Sequence, residues 1–184
     1  MNKKTMTAAV AALFALSACQ NEKENKFEIG VDHVGLLQHT TPLGELDAVY
    51  SGDSLVRDSA TPGFGSTDPR VKVYEKGGKH LLTLTPGSDS LKTIENINIH
   101  DPRFRTKKGI SLNSTFKDIR DNYTIKKLVT FRNNVVVFIK ESDVYFTIDR
   151  KELPENLRYN PNIQIEAVQI PDAARIKYMM VGWE

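Results

Sequence analysis

The sequence predicts an α+β fold built from two tandem units, each a short helix packed on an antiparallel sheet meander. Two observations favour it. Short runs of β-branched and aromatic residues alternate with polar turns, which is typical of antiparallel hairpins. A segment that combines glycine, threonine and an apolar helical face occurs twice, at equivalent places relative to the strands. We expect the units at residues 27–101 and 102–184.

Residues 1–18 are predicted to be a signal peptide. Two lysines precede a short apolar run and the small residues of an LSA tripeptide, the arrangement of a secretory signal before its cleavage site. The run is shorter than the ~20 apolar residues of a membrane-spanning helix. Cys19 follows and is the only cysteine, so no disulfide can form within the chain. An ordinary signal that leaves a free thiol is the alternative, although a lone thiol at a cleavage site is unusual unless it is modified.

The LSAC sequence at 16–19 resembles the lipobox of bacterial lipoproteins. The resemblance implies cleavage before Cys19 and its acylation with chains such as palmitate, so that residues 19–26 are the lipidated cysteine and a flexible polar tether. It also implies an outer-membrane location facing the periplasm, because Gln20 rather than Asp follows the cysteine. Two acidic residues in the tether leave exposure on the cell surface open.

The charge balance does not favour nucleic acid as a partner. The chain has 25 Lys and Arg against 23 Asp and Glu, and Lys3 and Lys4 are the charged residues of the signal. The remaining chain therefore has 23 of each sign, interspersed along its length. Such a surface has no basic footprint for nucleic acid. We expect membrane attachment through the lipid on Cys19 and no nucleic-acid partner.

Two pairs of segments indicate the duplication. Residues 35–50 and 109–123 both run from a glycine through a threonine into an apolar helical face that ends in tyrosine. Residues 94–101 and 165–172 match at about the same offset and in the same order. We interpret the two matches as a duplication of roughly seventy residues.

Each unit is predicted to begin with a capped helix. In the first, Thr41 is the expected cap and Pro42 takes the first helical position, where a missing N–H costs nothing. In the second, Thr115 and Asp118 have the spacing of a capping box. The side chains that share one apolar face are Leu43, Leu46, Val49 and Tyr50 in the first helix and Phe116, Ile119 and Tyr123 in the second.

The strands follow the helices. Those of the first unit are predicted at 55–58, 71–75, 80–85 and 94–99, and those of the second at 125–131, 135–140, 144–149, 163–170 and 174–183. The longest predicted loop, residues 59–69, contains two prolines, two glycines and Phe64.

The paired pattern of helix starts and strand meanders over residues 27–183 resembles the sigma-E-regulated lipoproteins of the bacterial envelope. In architecture it is similar to the β-lactamase-inhibitor-protein-like fold, whose tandem units lay helices on an antiparallel sheet. The resemblance implies a protein partner bound across an exposed sheet face. Because a fold alone does not confer that role, it remains an expectation.

The sequence has no recognisable catalytic motif. Phosphate-binding loops, nucleophile elbows and His-Glu-x-x-His are all missing, and Cys19 is the only thiol. We therefore expect no enzyme activity, no cofactor and no metal. The four histidines are interpreted as scattered surface or strand-end residues. They are His33, His39, His80 and His100.

Two further charged groups are interpreted as structural. Asp101 and Asp172 occupy equivalent places in the two units, and each adjoins or follows a proline, as turn-forming residues do. A basic cluster is predicted to lie opposite no obvious acidic ligand, as a solvated face or a guard of a sheet edge. It comprises Arg103, Arg105, Lys107 and Lys108.

Aromatic residues supply the candidate binding positions. Tyr178 and Trp183 lie on the last predicted strand, which is expected at a sheet edge, and they are either interface anchors or core residues. Phe64 in the long loop is a third candidate. The other aromatic residues at strand spacing are expected mostly in the core, namely Phe131, Phe138, Tyr145 and Phe146.

Three functions are therefore considered. The first is a noncatalytic envelope lipoprotein that binds a protein partner, as an inhibitor or an assembly accessory, and it requires an exposed aromatic face. The second is a small-ligand-binding module with an apolar cavity between the units. The third, an envelope hydrolase, requires clustered acids or histidines in a cleft.

Overall fold

The computed structural model describes residues 26–58, 70–88, 92–131, 133–159 and 163–183. Within these residues the protein is mostly β, with a few short helices and two sheets. The predicted signal peptide, Cys19, Phe64 and the long loop at 59–69 lie outside the described residues.

The described strands are β1 (Glu28–Ile29), β2 (His33–Val34), β3 (Leu37–Gln38), β4 (Ser54–Arg57), β5 (Val71–Tyr74), β6 (His80–Pro86), β7 (Ile94–Ile99), β8 (Arg105–Thr106), β9 (Ile125–Thr130), β10 (Asn134–Ile139), β11 (Val144–Asp149) and β12 (Ile176–Gly182). Helices occupy Leu46–Val49, Phe116–Asn122 and Glu155–Arg158, and 3-10 turns occupy Leu43–Glu45, Arg150–Glu152 and Ala167–Gln169. The strands predicted from the sequence are found within two residues of their expected bounds, with one exception described below.

The large sheet has eight strands in the order β4-β5-β6-β7-β12-β11-β10-β9. It consists of two antiparallel meanders that meet through their last strands, β7 and β12. In that junction Ile97 pairs with Val181 and Ile99 with Met179. All four of these side chains are buried, so the junction belongs to the core.

A second layer covers one face of the large sheet. It contains the small sheet, with strand order β3-β2-β1-β8, and the short helices. Val34 and Leu37 of the small sheet are fully buried, as are Leu46, Phe116 and Ile119 of the helices. They join the inward-facing strand residues in one hydrophobic core. The layer therefore buries one face of the large sheet, the arrangement expected for α+β packing.

The helix at Phe116–Asn122 begins as predicted. The Thr115 N–H donates to Asp118 Oδ2 at 2.7 Å, and the Thr115 hydroxyl donates to the same oxygen at 3.0 Å. The prediction for the first unit is wrong in detail. The Thr41 hydroxyl accepts from the Gln38 N–H at 3.3 Å and does not cap a helix.

The predicted strand at 163–170 is the exception. Its centre is the 3-10 turn Ala167–Gln169, in which the Gln169 N–H donates to Glu166 O and the Glu166 N–H donates to Gln169 Oε1. These groups satisfy one another locally, and the turn keeps Ile165 and Ile170 in the core without a strand partner. The match between residues 94–101 and 165–172 is therefore wrong as a structural equivalence. In the order of strands, β12 takes the place that corresponds to β7.

Candidate functional site

The outward face of the large sheet, hereafter the open face, carries the alternate residues of its strands. None of them belongs to the hydrophobic core, although Thr147 is buried. Pairing registers place one row of them straight across the sheet, from β4 to β9. The row reads Val56, Lys72, Thr83, Asn98, Met180, Tyr145, Phe138 and Lys127.

Charge in this row lies toward its two ends, at Lys72 and Lys127. In the row above, the four central strands contribute only Thr83, Asn98, Met180 and Tyr145. Lys72, near one edge, pairs with Asp58 at 2.9 Å, and this hydrogen bond raises the pKa of the lysine. The middle of this row is thus uncharged, with aromatic, amide, hydroxyl and thioether groups, whereas Lys177 and Asp149 pair at 2.8 Å beside Tyr178 on the same face.

Three rings stack across neighbouring strands on this face. The ring centroids of Tyr74 and His80 are 4.7 Å apart, and those of His80 and His100 are 3.8 Å apart. The Thr83 hydroxyl lies 3.1 Å from His80 Nε2 and 3.0 Å from His100 Nε2. His80 Nε2 also lies 3.1 Å from the Leu82 carbonyl, which can only accept, so this nitrogen carries the hydrogen of the neutral ring.

His80 and His100 lie at strand ends, as the sequence predicted, but they are stacked on each other and not scattered. Twenty residues separate them, and the pairing of β6 with β7 brings them together. Loss of hydration and then the neighbouring His80 and Lys72 lower the pKa of His100 to about 4. Desolvation also lowers the pKa of His80. Both rings are consequently neutral at pH 7.

A groove of about 530 Å³ lies over the open face where the second meander meets β7, and residues of both units line it. The rings of Phe138 and Tyr145 stack in it at 5.3 Å, and Lys127 Nζ lies 4.6 Å over the Phe138 ring. Asn96 Nδ2 donates to the Tyr145 hydroxyl at 2.6 Å, which fixes that ring. A Cβ at position 182 would lie 3.4 Å from Tyr145 Cε1, so the glycine there leaves the space beside the Tyr145 ring open.

The strand aromatics divide between the two faces. Phe146 is fully buried, as expected, whereas Phe138 and Tyr145 are half-buried on the open face. Phe131 is 56% exposed, which contradicts its assignment to the core. Its ring follows the end of edge strand β9, where no further strand covers it among the described residues.

The candidate binding residues have different surroundings. Tyr178 is 41% exposed on the open face, on β12. Its strand lies in the middle of the large sheet, so the expectation of an edge strand is wrong. Trp183 is only 3% exposed and packs against His39, with ring centroids 5.1 Å apart, which corrects its candidacy as a surface anchor. Phe64 and Cys19 lie outside the described residues.

Asp101 is fully buried in an ion-pair network. Arg103 Nη2 donates to Asp101 Oδ2 at 2.7 Å and to Glu75 Oε2 at 2.6 Å, and Lys79 Nζ lies 3.0 Å from Asp101 Oδ2. The expectation that Arg103 faces no acid is wrong. Burial would raise the pKa of Asp101, but the hydrogen bonds and charges of Arg103 and Lys79 lower it to about 2.

Asp172 lies in the exposed counterpart of this pair. Arg120 Nη1 donates to Asp172 Oδ1 at 2.5 Å, and the aspartate side chain is 53% exposed. Each of the two aspartates is thus paired with an arginine. Arg105, Lys107 and Lys108 are exposed.

Among the described residues, no group of three or more His, Cys, Asp or Glu side chains is placed to hold a metal ion. His33 lies beside Asp32, with Nδ1 3.1 Å from Oδ1, but no third ligand joins them in this part of the chain. The described helices include none that is long and apolar enough to cross a membrane.

Comparison with known proteins supports the fold and nothing finer. No family model and no curated protein matches the sequence. The chain is similar to the crystal structure of the uncharacterized protein yfeY from Escherichia coli, with a TM-score of 0.58 and 15% sequence identity. The similarity covers 85% of this chain and 99% of that one. At this identity the likeness extends to the fold alone.

Proposed function

We propose that the protein is a noncatalytic lipoprotein of the bacterial cell envelope that binds a protein partner through the open face, as an inhibitor or an assembly accessory. The observation that carries the proposal is the uncharged middle row of that face, where Met180 and Tyr145 lie side by side, together with Tyr178, which is 41% exposed on the same face. Protein interfaces favour this composition, because their centres are poor in charge and rich in Tyr and Met.

The size of the open face supports the same reading. Eight strands at ~4.8 Å spacing span roughly 34 Å, and six residues at ~3.3 Å rise span roughly 20 Å. The product is about 700 Å², close to the ~800 Å² that each partner contributes to a standard interface. A single domain can therefore be bound without rearrangement of the sheet.

The membrane attachment belongs to the proposal as well. The LSAC sequence at 16–19 supports lipidation of Cys19, and Gln20 supports the outer membrane, with the body facing the periplasm. Lys26 is the first described residue, and its Nζ lies 3.3 Å from Asp53 Oδ1. The six residues between Cys19 and Lys26 let the two Cα atoms lie at most ~25 Å apart. The partner is then a protein of the same compartment.

The tandem duplication is also proposed. The match between residues 35–50 and 109–123 is kept, and β12 replaces residues 165–172 as the counterpart of β7. Pro42 forms an isolated bridge with Thr93 just before β7, and Thr115 forms one with Arg175 just before β12. The residue after each bridge also makes an equivalent hydrogen bond. The Leu43 N–H donates to the Lys92 carbonyl in the first unit, and the Phe116 N–H donates to the Ala174 carbonyl in the second. Gly35 and Gly109, which precede the two helices, both have positive φ. These features support two copies of one plan.

The test is photocrosslinking in living cells of the source bacterium. Replacing Tyr178 with p-benzoylphenylalanine places a photoreactive ring on the open face, and the same replacement of Val168, 87% exposed on the covering layer, is the control. We expect a discrete crosslinked protein from position 178 and none from position 168. Equal products from both positions, or none from 178, would overturn the proposal.

A second candidate is a small-ligand-binding envelope module, which is favoured by the groove of about 530 Å³. Ligand sites commonly measure ~300–1,000 Å³. The groove is lined by residues of both units, and charged side chains are among them. A hydrolase has weaker support, because the two aspartates that occupied equivalent places in the sequence, Asp101 and Asp172, are each paired with an arginine.

A further inference from the structure

We propose that the groove binds an extended peptide segment of the partner, about six residues long, acidic at one end and basic at the other, with apolar side chains between. This inference rests on the proposed protein-binding function and assigns the partner's chemistry at one part of the open face. It is carried by the arrangement of charge along the groove.

One end of the groove is cationic. Lys126 and Lys127 lie on edge strand β9 and line the groove. Neither lysine has an ion pair within 4 Å among the described residues, although Lys127 contacts the Phe138 ring. Two neighbouring cations without a described counterion favour an acidic group, and partial shielding by the aromatic ring strengthens that attraction.

The other end is anionic. Glu95 on β7 and Asp143 in the turn before β11 also line the groove, and no described residue pairs with either carboxylate. Their main chains flank the end of β12, since the Gly182 N–H donates to Asp143 O and the Trp183 N–H donates to Glu95 O. This end of the groove therefore favours a basic group on the ligand.

Between these ends the surface is apolar and accessible. Val136, Phe138 and Tyr145 form it, and Gly182 adds no side chain. The stacked rings of Phe138 and Tyr145 are held in place by Lys127 and Asn96, so they require little ordering when a ligand binds.

The distance between the charged ends sets the ligand's length. Strands β9 and β7 are four strand spacings apart in the sheet, or roughly 19 Å at ~4.8 Å each. An extended peptide rises ~3.3 Å per residue, so about six residues join the ends. Such a segment crosses the strands of the large sheet. It does not add a strand to the sheet edge at β9, because the two neighbouring lysines of β9 oppose strand addition.

The test is selection from a phage-displayed library of random dodecapeptides against the full mature lipoprotein in detergent micelles. We expect the selected peptides to share Asp or Glu and Lys or Arg about six positions apart, with aromatic or aliphatic residues between. The affinity of a selected peptide is then measured by fluorescence anisotropy for the wild type and for the double variant Lys126→Glu, Lys127→Glu. The control variant is Lys107→Glu, Lys108→Glu, a neighbouring pair of exposed lysines outside the groove.

The groove variant should weaken binding at least about tenfold, and the control should change it less than about twofold. Selection of peptides without this charge order, selection of none, or equal effects of the two variants would overturn the inference. The proposed function has a separate readout, because a crosslink from position 178 together with a failed selection leaves the open face as an interface and removes the peptide site.

Discussion

At the scale of single residues, the buried carboxylate of Asp101 stands out, because burying a charge costs free energy unless partners offset the loss of hydration. The carboxylate is fully buried and accepts from the Arg103 side chain and main chain and from Lys79. A buried charge is tolerated only where partners satisfy it, and removing the charge leaves those partners without their acceptor. Asp101, which the sequence identified as a turn residue beside a proline, therefore also holds Arg103 and Lys79 in a buried ion-pair network.

We predict that Asp101→Asn lowers the free energy of unfolding by about 2 kcal/mol, because charge-assisted hydrogen bonds to Arg103 and Lys79 are weakened. Urea denaturation followed by circular dichroism measures the change. The matched control is Asp172→Asn, which breaks the exposed pair with Arg120 and should cost less than about 1 kcal/mol. Equal costs for the two variants would contradict the assignment.

The same experiment has a pH dependence of known sign. The pKa of Asp101 is lowered from 3.8 to about 2 by folding, so its contribution to stability is present above pH 4 and is lost as the pH falls toward 2. Asp101→Asn should remove this part of the acid sensitivity. A wild type and variant with the same loss of stability between pH 4 and pH 2 would show that Asp101 is not its source.

At the scale of elements, packing on the two meanders explains how such short helices are stable. The helix at Phe116–Asn122 has only seven residues, too few to be stable alone. It is fixed by the capping interaction at Thr115 and by the burial of Phe116 and Ile119 against the large sheet. The helix therefore depends on the sheet that it covers.

We predict that Asp118→Ala destabilises the protein by about 1 kcal/mol, since the variant loses the acceptor of the Thr115 N–H and a negative charge at the positive end of the helix. Thermal unfolding measures the effect. Asp121→Ala in the last turn is the control, because it removes only exposed ion pairs, with Lys117 and Arg120, and should change stability by about 0.3 kcal/mol. A larger effect at position 121 would contradict the capping role.

At the scale of the whole molecule, the proposed lipid anchor and the open face act together. A tether of at most ~25 Å would keep the folded body near the membrane, where a partner in the same compartment meets it at high effective concentration. The binding surface need not be strongly hydrophobic in that case, which agrees with the mixed composition of the open face.

The anchor has a direct test. Cells grown with radiolabelled palmitate should incorporate label into the wild type and not into Cys19→Ser, because the acyl chains are attached at that residue. Membrane fractionation should place the wild type in the outer membrane and the variant elsewhere. A wild-type protein that is released unacylated, with a free thiol, would refute the envelope anchor.

The positions of the strands could be predicted from the sequence because they depend on local composition. Residues 94–99 and 144–149 are rich in β-branched and aromatic side chains, and both are strands with the predicted bounds. The capping box at Thr115 was predictable for the same reason, since its partners are three residues apart. Residues 163–170 show the limit of the method, because a local hydrogen-bonded turn replaced the strand that their isoleucines favoured.

By itself the sequence determined the strand positions of the large sheet, the capped second helix and the candidate lipid anchor, all of which depend on neighbours along the chain. Only the tertiary structure decided that β12 lies at the centre of the sheet, that His80 stacks on His100, that Trp183 is buried and that Arg103 meets Asp101 and Glu75. The physical reason is that strand order and register join residues far apart in the chain, and those contacts determine which face is covered and which remains open to a partner.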